Sequence, residues 1–139
     1  MTGRWTIRPV GFVRSAIRTP GDAPKQGALE GTEAEIVVSP EFAEGLEGLE
    51  RHGLGGKIIV LCWMHLADRA RRKVHPRGQE DRPMRGVFST RSPHRPNPIS
   101  LYTVELLEIR GNVLRVRGMD AVDGTPVLDI KPHSPELDN

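Results

Sequence analysis

Three short stretches of this sequence carry side chains whose types and spacing suit chemistry. The first is Arg91-Ser92-Pro93-His94-Arg95-Pro96-Asn97-Pro98, with three prolines in its last six residues. Such a run forbids a helix and removes donors from any strand. The prolines set their own φ and restrict Ser92, Arg95 and Asn97 before them, so the loop loses little entropy on ordering. Arg91, His94, Arg95 and Asn97 then stand on a stiff frame. An arginine fork matches a carboxylate or phosphate, so the loop suits an anionic ligand; a rigid connector with solvated arginines has the same composition.

The second stretch is Asp120-Ala121-Val122-Asp123-Gly124-Thr125-Pro126, followed by Asp129. Its carboxylates are spaced to meet a ribose diol or an ammonium group, while Asp-Gly between two strands is also ordinary hairpin chemistry. The third is His65, which follows Trp63 and Met64 and would place a titratable nitrogen beside an apolar wall. A histidine in such a place also serves as a core or rim residue.

These groups must be positioned by strands. Trp5 to Ser15 alternates around Ile7, Pro9 and Phe12 and predicts an opening strand; residues 19–27 read as loop. A second strand is expected over Glu33 to Val38. A short helix should follow, with Ser39 as cap, Pro40 in the first turn, and Phe42, Leu46 and Leu49 on one face. Lys57 to Trp63 reads as a buried strand ending beside His65. Asp68 to Arg85 reads as a surface excursion with a turn over Leu66 to Lys73, and Gly86 to Thr90 as a returning strand. Ser100 to Ile109 and Val113 to Val116 predict a hairpin about Gly111-Asn112, with Leu114 and Val116 inward and Arg115 and Arg117 outward. Pro126 to Lys131 is the last strand. Short strands with regular turns predict a barrel or sandwich in an all-β chain.

The chain has 139 residues, 37% hydrophobic and 27% charged, and reads as one soluble domain over 1–139. It shows no membrane-length apolar run and no leader pattern from Met1 to Ile7, so a cytoplasmic protein is expected. Cys62 sits in an apolar run and reads as a core residue. The histidines lack metal-ligand spacing, there are no paired cysteines, and glycine-rich nucleotide fingerprints are missing, so no metal is expected. Net charge is only +2, yet Arg69, Arg71, Arg72, Lys73, Arg77, Arg82, Arg85, Arg91 and Arg95 crowd the centre. Such a cluster makes a surface that can hold phosphates, or a solvated basic loop.

The run Gly86 to Ile99, GVFSTRSPHRPNPI, resembles the signature of the TsaA/TrmO family, and Asp120 to Pro132, DAVDGTPVLDIKP, resembles its second signature. Val10 to Ser15 and the strand ending at His65 extend the likeness over most of the chain. The resemblance implies a single antiparallel β-barrel, working as a homodimer, that binds S-adenosylmethionine without a Rossmann sheet. It implies methylation of the exocyclic nitrogen of threonylcarbamoyl-adenosine, next to the anticodon of transfer RNA. Matched residue by residue, it implies a cofactor pocket from Pro24, Lys25, Gln26, Met64, His65, Arg91, Leu101 and Asp120, Ala121, Val122 and Asp123.

Lys25 stands where the family has arginine, Leu66 where glutamine is common, Ser100 where glycine is usual, and His133 where tyrosine is frequent. Longer members carry a C-terminal extension. Candidates for a general base are His65, Asp123 and Asp129. Arg91 and Arg95 are expected at carboxylates, with His94 and Asn97 at the substrate and Arg69 and Arg72 on the RNA backbone. Two alternatives stay open: the same fold methylating a small molecule, and a non-catalytic barrel that binds nucleic acid.

Overall fold

A computed structural model describes residues 3–22, 31–53 and 55–138. Six antiparallel strands close into a barrel: β1 (Gly11–Arg14), β2 (Glu33–Val38), β3 (Lys57–Trp63), β6 (Ile99–Arg110), β7 (Val113–Arg117) and β8 (Pro126–Pro132). Around the wall the order is β1, β2, β7, β6, β3, β8 and back to β1. Closure pairs every edge, which is how an antiparallel sheet of this size avoids exposed ladder groups.

Alternation fills the interior. Ile36 from β2, Ile58 and Val60 from β3, Val104 and Leu106 from β6, Leu114 and Val116 from β7 and Val127 from β8 are all at most 1% exposed, as is Val13 of β1. Burying each such side chain contributes about 1.5–3 kcal/mol. Between β1 and β2 the approach is close enough to require glycine: a Cβ on Gly11 would sit 2.2 Å from the Val37 carbonyl oxygen. Register shifts between Leu61 and Cys62, and between Leu106 and Glu108, bend the wall where it must curve.

Most expected elements are present, with three differences. The opening strand is only Gly11–Arg14, because its inward positions are Gly11 and Val13; Phe12 faces outward, and Trp5 and Ile7 are exposed. Residues ahead of Pro9 are held instead by Arg8, which stacks on Phe42 at 5.3 Å and pairs with Glu41 at 3.0 Å.

After β2 the chain forms a 3₁₀ turn, Pro40–Leu46, and then a five-residue helix α1, Leu49–Gly53. The Ser39 hydroxyl caps nothing; its backbone oxygen accepts from the Phe42 N–H instead. Gly45 and Gly48 weaken a continuous helix, yet Leu49 still packs in the core with Phe42 and Leu46 against it.

Gly86 to Thr90 is not a strand. Only Arg85–Gly86 (β5) pairs, with Lys73–Val74 (β4), and Val87–Ser89 is a 3₁₀ turn. The Ser89 and Thr90 hydroxyls donate back to the Gly86 and Val87 carbonyls, local bonds that compete with a ladder. A final short helix α2 spans Pro135–Asp138.

Candidate functional site

The end of β3 and the start of β6 place His65 and the proline loop side by side. Trp63 pairs with Ile99, and the next residue, Met64, donates its N–H to the Pro98 carbonyl at 2.7 Å. His65 therefore leaves the barrel beside the exit of the proline loop. It is exposed, whereas Met64 is half-buried and Pro98 is buried.

The proline loop is ordered through its own polar groups. Arg95 donates from Nη1 to the Thr90 and Ser92 carbonyls at 3.1 and 3.0 Å. The Asp68 N–H donates to His94 Nδ1 at 2.9 Å, which leaves the ring proton on Nε2. Arg69 donates from Nε to the Pro96 carbonyl at 2.8 Å and from Nη2 to Asn97 Oδ1 at 3.4 Å, and its guanidinium lies 5.0 Å from the Trp63 ring centre. The 65–72 segment and the proline loop are thus one knot.

Asp68 supports it by accepting from the Ala70 N–H, the main reason its carboxyl is held below the usual range. Arg72 donates to the Arg69 and Ala70 carbonyls, so part of this guanidinium is engaged within its own segment. Arg91, by contrast, is exposed and has no hydrogen bond or ion pair to another described residue.

The acidic turn is stapled to the chain that follows β1. Asp123 accepts from the Ser15 N–H at 3.0 Å and from Arg18 at 2.8 Å, while its own N–H donates to the Ile17 carbonyl. The Ser15 hydroxyl donates to the Ala121 carbonyl, and Gly124, at φ +87°, donates to the Val13 carbonyl. That positive φ is what the Asp-Gly pair supplies. Ala121 is buried, and Asp120, Val122 and Asp123 are half-buried.

Tyr102 joins the acidic turn to the proline loop. It follows Pro98 by four residues on the inward-facing side of β6, where its phenol lies close enough to Asp120 to feel that carboxylate's charge. Burial, with the Asp120 charge adding to it, pushes the phenol well above its ordinary value. Asp120, Met64, His65 and the proline-loop exit therefore share one end of the barrel.

Leu101 is placed differently. Opposite Leu61, it faces the outside of the barrel and is 48% exposed. Asp129 also pairs with Leu61, on that outer face, and accepts from the Ile130 N–H and from Lys131. No described contact brings it to Asp120 or Asp123. Pro24, Lys25 and Gln26 lie outside the described residues. Cys62 is fully buried, and burial pushes its thiol up to about 12. Among the described residues no group of three His, Cys, Asp or Glu is placed to hold a metal ion.

Sequence reasoning missed Tyr102, Ser15 and Arg18. Tyr102 is the one tyrosine in the chain and falls on an inward position of β6, which was a usable signal. Nothing local marks Ser15 and Arg18 as partners for a residue more than a hundred positions later.

The family described as tRNA-methyltransferase O N-terminal domain matches residues 12–139. A "Probable S-adenosyl-L-methionine-binding protein" of Methanothermobacter thermautotrophicus is 53% identical over 133 residues, 96% of this chain and 93% of that one. An "S-adenosyl-L-methionine-binding protein" of Archaeoglobus fulgidus is 48% identical over 134 residues, 95% of this chain and 91% of that one. The crystal structure of TrmO from P. aeruginosa superposes with a TM-score of 0.77 at 32% identity, covering 100% of this chain and 59% of that one. This chain thus spans about three-fifths of the solved TrmO chain.

Proposed function

The chain belongs to the tRNA-methyltransferase O N-terminal domain family, and from that membership we propose that it is an S-adenosylmethionine-dependent methyltransferase acting on transfer RNA. The acceptor in this reading is the exocyclic nitrogen of threonylcarbamoyl-adenosine beside the anticodon, and the protein works in the cytoplasm as a homodimer. One observation carries it: the half-buried carboxylate of Asp120, near enough to Tyr102 to act on its phenol, lies at the same barrel end as the exit of the arginine-bearing proline loop.

The described residues fit the cofactor's chemistry. Arg91 has an uncommitted guanidinium for a carboxylate, Asp120 accepts from a hydroxyl or ammonium, and the half-buried Met64 and Val122 add apolar surface. When bound, S-adenosylmethionine supplies an activated methyl group on a sulfonium. What remains for the chain is to orient the acceptor nitrogen, exclude water and take up a proton.

His65 suits the last task, since it is exposed at the rim with no hydrogen bond to another described residue. Asp123 already accepts from Ser15 and Arg18 through both oxygens, and its place is to hold the turn. Arg95, His94, Asn97, Arg69 and Arg72 form the basic surface for RNA, several of them through the knot they build.

The homodimer is supported by the outer face of β3 and β6. There Leu61, Ile99 and Leu101 sit together, with Ile99 and Leu101 40% and 48% exposed.

The test is a mass measurement on transfer RNA incubated with the pure protein and cofactor. A gain of one methyl on RNA carrying the threonylcarbamoyl group, and none on RNA lacking it, is expected. Methylation of a small molecule with no salt-dependent RNA binding would favour the other enzymatic reading.

A further inference from the structure

Phe88 is 82% exposed. Scattered surface apolar residues are ordinary, but four features of this one are not. It stands at the middle of a turn that is locked: Val87 beside it is 2% exposed, and the Val87 N–H donates to the Arg72 carbonyl. Arg85 donates to the Ser89 carbonyl at 2.9 Å, and the Ser89 and Thr90 hydroxyls close the turn on itself. The ring is thus presented by rigid backbone, and little side-chain freedom is lost on contact.

A fixed cation also borders the ring. The Arg95 guanidinium lies 6.0 Å from its centre, tied down by the Thr90 and Ser92 carbonyls. The stretch of chain that carries it is of one sign: residues 82–104 contain four arginines, Arg82, Arg85, Arg91 and Arg95, and no Asp or Glu. Finally, the turn leads directly into Arg91 and the proline loop, so the ring borders the candidate site.

We infer that Phe88 is a stacking platform for an unpaired nucleobase of a single-stranded RNA loop, with the surrounding arginines taking its phosphates. An aromatic face set among cations is the arrangement that holds single strands, because every base has a π-face and every nucleotide a phosphate. A protein partner would need hydrogen-bonding or acidic complementarity of its own; a nucleotide carries both required halves in one unit. This inference rests on the RNA reading and names a contact that reading does not contain.

The probe is a fluorescein-labelled RNA of about twelve adenosines, compared with an abasic ribose-phosphate chain of equal length. Anisotropy titrations with Phe88→Ala should show about tenfold weaker binding of the adenosine strand and unchanged binding of the abasic chain. Phe88→Trp should bind the adenosine strand as well as the parent or better, and the salt slope should match in all three proteins because no charge is altered.

Equal adenosine binding by parent and Phe88→Ala overturns the inference while leaving the RNA reading intact. Salt-independent binding or no binding by the parent overturns the RNA reading itself. Conversion of a dimer to a monomer by Phe88→Ala in sedimentation assigns the ring to a second copy and overturns the inference. Circular dichroism of Phe88→Ala should match the parent, as expected for a side chain outside the core.

Discussion

The two outer faces of the barrel are built from opposite materials, although β6 runs through both. Over β2, β7 and the second half of β6 the surface is a ladder of charges: Arg14 with Glu35 at 2.8 Å, Arg115 with Glu33 at 2.7 Å and Glu108 at 3.4 Å, and Arg117 with Glu105 at 3.0 Å. Over β3 and the first half of β6 it is Leu61, Ile99 and Leu101. The ladder is saturated, each charge answered by a cross-strand neighbour. A hollow of about 280 Å³ lies there, between Arg14, Ser15, Glu33, Glu35 and Arg115, and its walls are already paired with one another. Binding capacity follows unmet groups rather than empty volume.

The comparison breaks most easily at Leu101. If the proposed dimer forms on this face, placing a charge there, as Leu101→Asp, should weaken self-association by about thirtyfold or more, the loss expected when an apolar contact of an interface is made ionic. Sedimentation equilibrium measures it, with Arg115→Ala on the ladder as the control that leaves association unchanged. An identical shift from both variants would mean that the apolar face is not special.

Alkali should sharpen the difference from the interior side. Behind the apolar face lie Cys62 and Tyr102, both held protonated by burial. Above their ordinary values of 9.0 and 10.0 the folded state binds more protons than the unfolded chain. The contribution of Cys62 is complete below about pH 9 and is lost as pH rises toward about 12, and that of Tyr102 begins to fall above about pH 10. Urea unfolding across that range should show the decline, and Cys62→Ala should flatten its first part.

Acid gives the smallest effect, on the ladder. The Arg110 hydrogen bond holds Glu108 below its ordinary value of 4.5, with Arg115 adding to it. This contribution is present above that value and lost as pH falls through and below it. Solvent screens such exposed pairs, so the acid-induced drop in melting temperature should be slight and should shrink further in high salt. A large drop that survives high salt would show that the ladder carries stability comparable to the core.

Much of the barrel was legible because strand periodicity is local. Ile36, Leu114 and Val116 point inward, and Arg115 and Arg117 outward, as alternation requires. The misreadings have local causes of another kind. At Ser89 and Thr90, hydroxyls that bond their own turn defeated a β-rich composition, and at Phe12 the inward positions went to its neighbours Gly11 and Val13. In the candidate site, the stiffness of the proline loop was legible from its prolines. The use of Arg69 and Arg95 to bind carbonyls was not, because an arginine's partner is set by tertiary placement rather than by its neighbours. The same holds for Asp123, whose partners come from the other end of the chain.

The seam between β1 and β8 holds a consequence for how the molecule comes into being. Its ladder spans only Gly11 with Val127 and Phe12 with Pro126, and the bonds from Ser15 and Val13 to the 121–125 turn extend it. Contacts separated by 108 positions cannot form until the 121–125 turn has left the ribosome. The meeting of the first strand with the last also anchors Asp123, through Ser15 and Arg18, so a chain severed between those segments loses what pins its acidic turn.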